Sequence, residues 1–240
     1  MVMHFFSQHV SKDIAEEIWN KRDEFMQNNR PKPVPLTATV LFTDLEGFTE
    51  ISEKMAADEL FDWLNQYMRA MSEIVLKHKG VINKYIGDAI MGIFGVPVAR
   101  TTEAEIAQDA RNAVACALEM EQALILLNAK WVAAGKKPIR MRVGIFTGPL
   151  VAGLLGGADR MEYTVIGDTV NTASRLESAG KTITLPQAKT RCCIITIGES
   201  TQRLLGDKVG LTLIGRVSLK GKEQEINSYF VEAESISEPS

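Results

Sequence analysis

Two aspartates and two helix residues carry the strongest hint of chemistry in this chain. Asp44 sits in the string FTDLEGFT directly after an apolar run, and Asp88 follows Gly87 in NKYIGDAIMGIF. If the flanking segments are neighbouring strands, both carboxylates lie at one end of them. Paired in that way they suit two hard cations, because Mg²⁺ takes oxygen ligands, keeps several waters, and is held by one or two carboxylates together with substrate phosphates. Either aspartate alone fits a turn or cap equally well, so the pairing carries the signal. Gly47 and Thr49, just beyond Asp44, let backbone N–H groups approach a triphosphate at the start of the next helix, where the helix dipole favours anions.

Asn171 and Arg175 stand four residues apart in VNTASR, so both leave the same face of a helix. Asn orients a sugar or phosphate oxygen. Arg offers a rigid, permanently charged fork suited to phosphoryl charge that builds up in a transition state. The plain alternative for Arg175 is solvation or pairing with Glu177 at the helix end. Lys84, Arg142 and Lys220 would each pass for surface charges on their own. The Gly-rich run from Gly148 to Gly157 lacks the Gly-Lys-Ser/Thr of a Walker loop and the spacing of a dinucleotide fingerprint, and it reads as a strand turn.

Other chemistries are poorly served. His4, His9 and His78 are the three histidines, none close in sequence to a candidate nucleophile, which argues against triad hydrolases and histidine-ligated zinc. Cys116, Cys192 and Cys193 give neither a disulfide framework nor metal-ligand spacing, so a reducing, cytoplasmic setting is expected. A net charge of −3, with 30 acidic and 27 basic residues interspersed, calls for no nucleic-acid partner. With no stretch of 18 apolar residues, the segment is expected to be soluble and to make no membrane contact.

To hold these groups in place, the 240 residues are long enough for one substantial core. Residues 4–28 read as an amphipathic connector helix, and Pro31, Pro33 and Pro35 as an extended linker, so the expected domains are 1–35, 36–232 and a disordered tail over 233–240. Thr37 to Thr43 predicts a buried strand, and the apolar spacing from Leu60 to Val75 a helix that stops at Gly80. Residues 81–86 and 89–95 predict a hairpin with Asp88 at its tip. Thr102 and Glu105 form a capping-box pattern before a long Ala-rich helix ending near Gly135. Strands are expected at 139–146, 161–166, 192–196 and 225–231, with a helix over 168–178. The order β-α-β-β-α-β predicts an α+β fold with a ferredoxin-like core, an antiparallel sheet with helices packed on it.

Taken in order over about residues 36–232, the strings FTDLEGFT, NKYIGDAIMGIFG, RVGIFTGPLVAGLLG and YTVIGDTVNTASRLE resemble the class III adenylyl and guanylyl cyclases. The resemblance implies a class III cyclase homology domain that converts ATP to cyclic AMP and pyrophosphate with two divalent metal ions, Mg²⁺ or Mn²⁺, per site. It implies Asp44, Leu45 and Asp88 at the metals, with Arg142, Gly47, Phe48 and Thr49 binding substrate. From the other subunit of a homodimer, with active sites at the subunit interface, come Lys84 and Thr164 to read the base, Asn171 and Arg175 for catalysis, and Lys220 for the triphosphate. Lys84 implies ATP, because guanylyl cyclases typically carry an acid there. Thr164 departs from the Asp of many adenylyl cyclases and resembles the bicarbonate-responsive subclass. Guanylate cyclase activity and a non-catalytic nucleotide-binding module are the alternatives; a diguanylate cyclase lacks its Gly-Gly-Asp/Glu-Glu-Phe hairpin here. Residues 4–35 resemble the connector of multidomain receptor cyclases, which implies upstream sensory domains and a full-length protein that an upstream region tethers to a membrane.

Overall fold

The computed structural model describes residues 26–27, 30–31, 33–157, 160–206, 209–218 and 225–232. Of the connector helix expected over 4–28, only Met26 and Gln27 fall among them. They pair antiparallel with Arg30 and Pro31 instead of continuing a helix. The expected tail lies outside the described residues.

The first long strand, β1, runs Val34–Leu45, so Pro35 belongs to the sheet, opposite Val151, and not to a linker. Two helices follow, α1 (Phe48–Lys54) and α2 (Ala57–Lys77), then the hairpin β2 (Val81–Ile86) and β3 (Ala89–Phe94). Helix α3 (Glu103–Ala133) starts at Thr102, and the reciprocal capping box with Glu105 is present. Strand β4 (Met141–Gly157) is 17 residues long, and β5 (Arg160–Ile166) folds back on its second half. Helix α4 (Asp168–Ala179), the four-residue α5 (Pro186–Lys189), β6 (Cys193–Gly198), α6 (Glu199–Leu205), β7 (Leu211–Ser218) and β8 (Glu225–Val231) follow.

The sheet order is β2-β3-β1-β4-β6-β8-β7, with β5 added to β4. Strands β2, β3, β1 and β4 are antiparallel and form, with α2 and α3, the expected βαββαβ core. Strand β6 joins β4 in parallel, the one parallel pair among the described strands. Alternation sorts the two faces, because successive side chains of a strand point to opposite sides. Leu41, Leu45, Val143 and Ile145 meet Trp63, Tyr67 and Met71 of α2 and Ala113, Ala117 and Met120 of α3. The opposite face carries Ala38, Val40, Leu150 and Ala152, with Ala173 of α4.

Most of the Gly148–Gly157 run is strand and not turn, the second half of β4; only its end, Gly156 and Gly157 opposite Met161 and Arg160, borders the reversal into β5. Gly148 and Gly153 serve contact rather than reversal. A Cβ on Gly148 would lie 2.7 Å from Thr169 Oγ1, and one on Gly153 3.2 Å from Pro33 Cα. The closest approach is at Gly144, where a Cβ would collide with the backbone nitrogen of Glu177 and the carbonyl oxygen of Ala173. Helix α4 thus rests directly on the β4 backbone. Gly144→Ala is expected to push α4 off the sheet and to lower unfolding stability by about 1–3 kcal/mol or more, read as a shift in the urea midpoint; an unchanged midpoint would refute this packing account.

Candidate active site

Register brings the first group together. Asp44 lies opposite Arg142 across the β1–β4 pair, on the face toward α4, and the two side chains form an ion pair through Arg142 Nη2. Arg142 is only 5% exposed. Its Nε donates to Glu177 Oε1 at 2.7 Å, and Glu46 Oε1 stands 3.7 Å from Nη1. A buried guanidinium therefore faces three carboxylates. Glu177 belongs to the buried stripe Thr169, Thr172, Ala173, Leu176 and Glu177 of α4. An acid in such a stripe is the sequence signal that could have found it; the charge it pairs with is Arg142, not Arg175.

Asp88 is held from the other side. It follows Gly87, whose φ of +64° favours glycine, at the tip of the β2–β3 hairpin. Its Oδ2 accepts from Leu45 N at 2.9 Å, which seats it beside the end of β1. Burial pushes its pKa up, the Leu45 N–H opposes that, and the neighbouring charge of Asp44 adds to the rise. Beneath them, Thr43 Oγ1 accepts from Ile90 N at 3.1 Å and lies 3.3 Å from Tyr67 Oη, locking β1 to β3 and α2.

These donors fit a divalent cation. Among the described residues no cluster of three or more His, Cys, Asp or Glu side chains is arranged to hold a metal, so the protein itself offers the paired aspartates. That is the donor set of Mg²⁺ sites completed by water and substrate phosphates. Gly47, at φ +73°, leads into α1, and the Phe48 ring stacks on Trp63 at 6.4 Å between centroids. The Phe48 side chain thus faces the core, leaving only its backbone toward the site. Arg142 also walls a polar cavity of about 280 Å³ together with Glu46, Arg140, Lys181 and Lys189, a basic neighbourhood suited to phosphate.

A second group forms where β2 meets β5. Lys84 Nζ pairs with Glu162 Oε1 at 3.0 Å. Asn83 bonds both Tyr163 and Thr164, so Lys84 and Thr164, 80 positions apart in sequence, share one corner. Sequence reading passed over Asn83 and Glu162. Asn83 sits at a register irregularity, between Ile82 opposite Gly92 and Lys84 opposite Met91, and no sequence pattern marks such a bulge.

The third group is on α4. Asn171 is exposed, and Arg175 Nη1 donates to Ser218 O at 3.1 Å. Among the described residues, no hydrogen bond or ion pair joins Asn171, Arg175, Lys84 or Thr164 to Asp44 or Asp88. Lys220 lies outside the described residues.

A mainly antiparallel sheet with one parallel pair, with Asp44 at the end of its central strand and Asp88 seated beside it from the β2–β3 hairpin, is the architecture of a nucleotide cyclase domain. Residues 36–233 match the Adenylate and Guanylate cyclase catalytic domain family, and the chain belongs to that family. Adenylate cyclase 1 of Rhizobium meliloti (strain 1021) is 41% identical over 143 residues, 60% of this chain; the chain spans 21% of that relative's length. The adenylyl cyclase CyaB from P. aeruginosa matches with a TM-score of 0.74 at 36% identity, covering 84% of this chain and 96% of that one. The guanylyl cyclase Cya2 matches with 0.70 at 32% identity, covering 84% and 93%. No helix among the described residues is long and apolar enough to cross a membrane.

Glu177→Gln is expected to cost about 1–3 kcal/mol, because the buried Arg142 loses the charge of one partner while keeping an acceptor. Combined with Arg142→Met it should cost less than the sum of the single changes in urea unfolding. Additive costs would show that the pair does not act as a unit.

Proposed function

We propose that this domain is an adenylate cyclase, converting ATP to 3′,5′-cyclic AMP and pyrophosphate in signal transduction. The observation that carries the reading is the convergence of Asp44, Asp88 and Arg142 at one end of β1; a separate corner of the same chain holds Lys84 and Thr164. In the reaction the ribose 3′-oxygen bonds to the α-phosphorus, the hydroxyl proton leaves, and the bond from the α-phosphorus to the bridging oxygen of pyrophosphate breaks. Asp44 and Asp88, with Leu45, would hold two divalent ions, Mg²⁺ or Mn²⁺. Such ions supply charge that acidifies the 3′-hydroxyl and neutralises the β- and γ-phosphates.

The chain's own contribution is position and charge. Arg142, fixed by Glu177, offers its remaining N–H groups to phosphate oxygens, and the backbone at Gly47, Phe48 and Thr49 approaches the same anion. Lys84 donates to the unprotonated N1 of adenine, where guanine presents an N1–H and repels it. Arg175 meets the charge that builds on the transferring phosphoryl, with Asn171 orienting a sugar or phosphate oxygen. Lys220 is assigned to the triphosphate by the motif alone. The bicarbonate-responsive subclass enters this proposal only through Thr164, the position on which that likeness rests. Incubation with Mg²⁺ or Mn²⁺ and either ATP or GTP, with products identified by mass, tests the whole reading; formation of neither cyclic nucleotide would refute it.

Base choice is expected to follow Lys84. Lys84→Glu should lower kcat/KM for ATP at least about a hundred-fold, and an unaltered ATP-over-GTP preference would remove Lys84 from the base site.

The site is also proposed to need two chains, with Asp44, Asp88 and Arg142 from one subunit and Lys84, Thr164, Asn171, Arg175 and Lys220 from its partner. Among the described residues Asp44, Asp88 and Arg142 form one bonded group, and Lys84 and Thr164 meet in a separate corner. Asp44→Ala and Arg175→Ala should each be inactive alone, while an equal mixture recovers about a quarter of wild-type turnover, because half the dimers are mixed and each mixed dimer keeps one intact site. Asp44→Ala mixed with Asp88→Ala should stay inactive. A first mixture as inactive as the second, despite demonstrated subunit exchange, would overturn the shared site.

A further inference from the structure

A threonine hydroxyl both donates and accepts, so Thr164 by itself discriminates poorly between a base that offers a donor and one that offers an acceptor. Its surroundings remove that freedom. Thr164 is buried, 6% exposed, and its Oγ1 donates to Asn83 Oδ1 at 3.2 Å. The direction of that bond depends on which way the Asn83 amide points. Asn83 Nδ2 donates to the carbonyl oxygen of Tyr163 at 3.1 Å, and a carbonyl only accepts, so the amide nitrogen is committed there and the amide oxygen is turned to Thr164.

The proton of Thr164 is therefore spent on Asn83. What the hydroxyl has left for a bound base is its lone pairs. The register shift between Ile82 and Lys84 in β2 is what makes this reach available, since it takes Asn83 out of the regular pairing with β3 while Lys84 returns to it opposite Met91. Asn83 then spans from β2 to β5, which is hydrogen-bonded to β4 and not to β2.

We propose that Asn83 is a specificity-determining positioning residue that fixes the Thr164 hydroxyl as an acceptor toward the six-position of the purine. This deepens the adenylate cyclase reading and rests on it. Adenine carries an amino donor at that position and guanine a carbonyl acceptor. A fixed acceptor pairs with the first and meets the second lone pair to lone pair. Lys84 and Thr164 thus read adjacent atoms of one edge, a donor toward N1 and an acceptor toward N6. A site built on complementary hydrogen bonds rejects the mismatched base because its own polar group is left unpaired.

The test is the ratio of kcat/KM for ATP to that for GTP in wild type, Asn83→Ala, Thr164→Val and the double variant, with folding checked by circular dichroism. Asn83→Ala frees the hydroxyl to turn and donate to guanine, so the ATP preference should fall about ten-fold. Thr164→Val should lower it comparably by removing the hydroxyl, and adding Asn83→Ala to Thr164→Val should change the ratio no further. A purely structural role for Asn83 would lower both substrates in proportion and leave the ratio in place. That result, or an undiminished ratio in Thr164→Val, overturns the proposal while leaving a cyclase that prefers ATP intact. A wild-type protein that forms neither cyclic nucleotide refutes instead the functional reading beneath it, and one that prefers GTP refutes both.

Discussion

A permanently charged guanidinium is buried in this sheet, and much of the structure around it follows from keeping that charge paired. Arg142 is 5% exposed and faces Asp44, Glu177 and, at 3.7 Å, Glu46. Removing one partner from a buried ion pair leaves an uncompensated charge and costs several kcal/mol. Two placements are thereby coupled to one group. The register of β1 on β4 must put Asp44 opposite Arg142, and α4 must sit low enough on β4 for Glu177 to reach Nε. Gly144 makes the second possible, since any side chain there would lift the helix. A cation bound at Asp44 would compete for the oxygen that Arg142 now holds, and Glu177 would keep the guanidinium paired while its other N–H groups turn to phosphate.

Helix α4 consequently serves two directions. Its buried stripe ends in Glu177 and looks toward Arg142 of the same chain, while Asn171 is exposed and Arg175 reaches the Ser218 carbonyl. A period of 3.6 residues sets these faces apart although Arg175 and Glu177 are two residues apart in sequence. Under the proposed two-chain site, one short helix would hold the phosphate-binding arginine of its own subunit and present the catalytic pair to its partner.

Most of the frame was legible in the sequence because its elements obey strong local rules. The capping box at Thr102 and Glu105, the hairpin around Gly87-Asp88, and the helix ending before Gly80 are each set by a few neighbouring residues. What escaped lacks a local signal. Strand β7 alternates weakly and has no fully buried residue, so its pattern resembles a loop. The glycines of β4 look like a turn because composition does not tell a reversal from a surface on which Thr169 and Pro33 press. The candidate residues were legible through motif likeness, but their partners were not. Glu177, Glu162 and Asn83 gain meaning only from contacts 35 to 81 positions away.

The two cationic groups of the candidate site are held in opposite ways, and the difference suits what each would bind. Lys84 is about a third exposed and Glu162 about half, so their ion pair is worth little in water and would yield readily to a purine edge. Arg142 is buried and fixed at Nε by a carboxylate that is itself buried, so its position is set before any anion arrives. A triphosphate carries the same charge whatever the base, and gains from a receptor already in place. A base must be told from a near-isostere, and that depends on the polarity of groups such as Thr164 and Lys84 more than on the strength of any one contact. Under the proposed function, rigid charge under the phosphates and a directed, exchangeable polar corner for the base would be two answers to two physical problems, built on one sheet by β1–β4 register on one side and the bulge in β2 on the other.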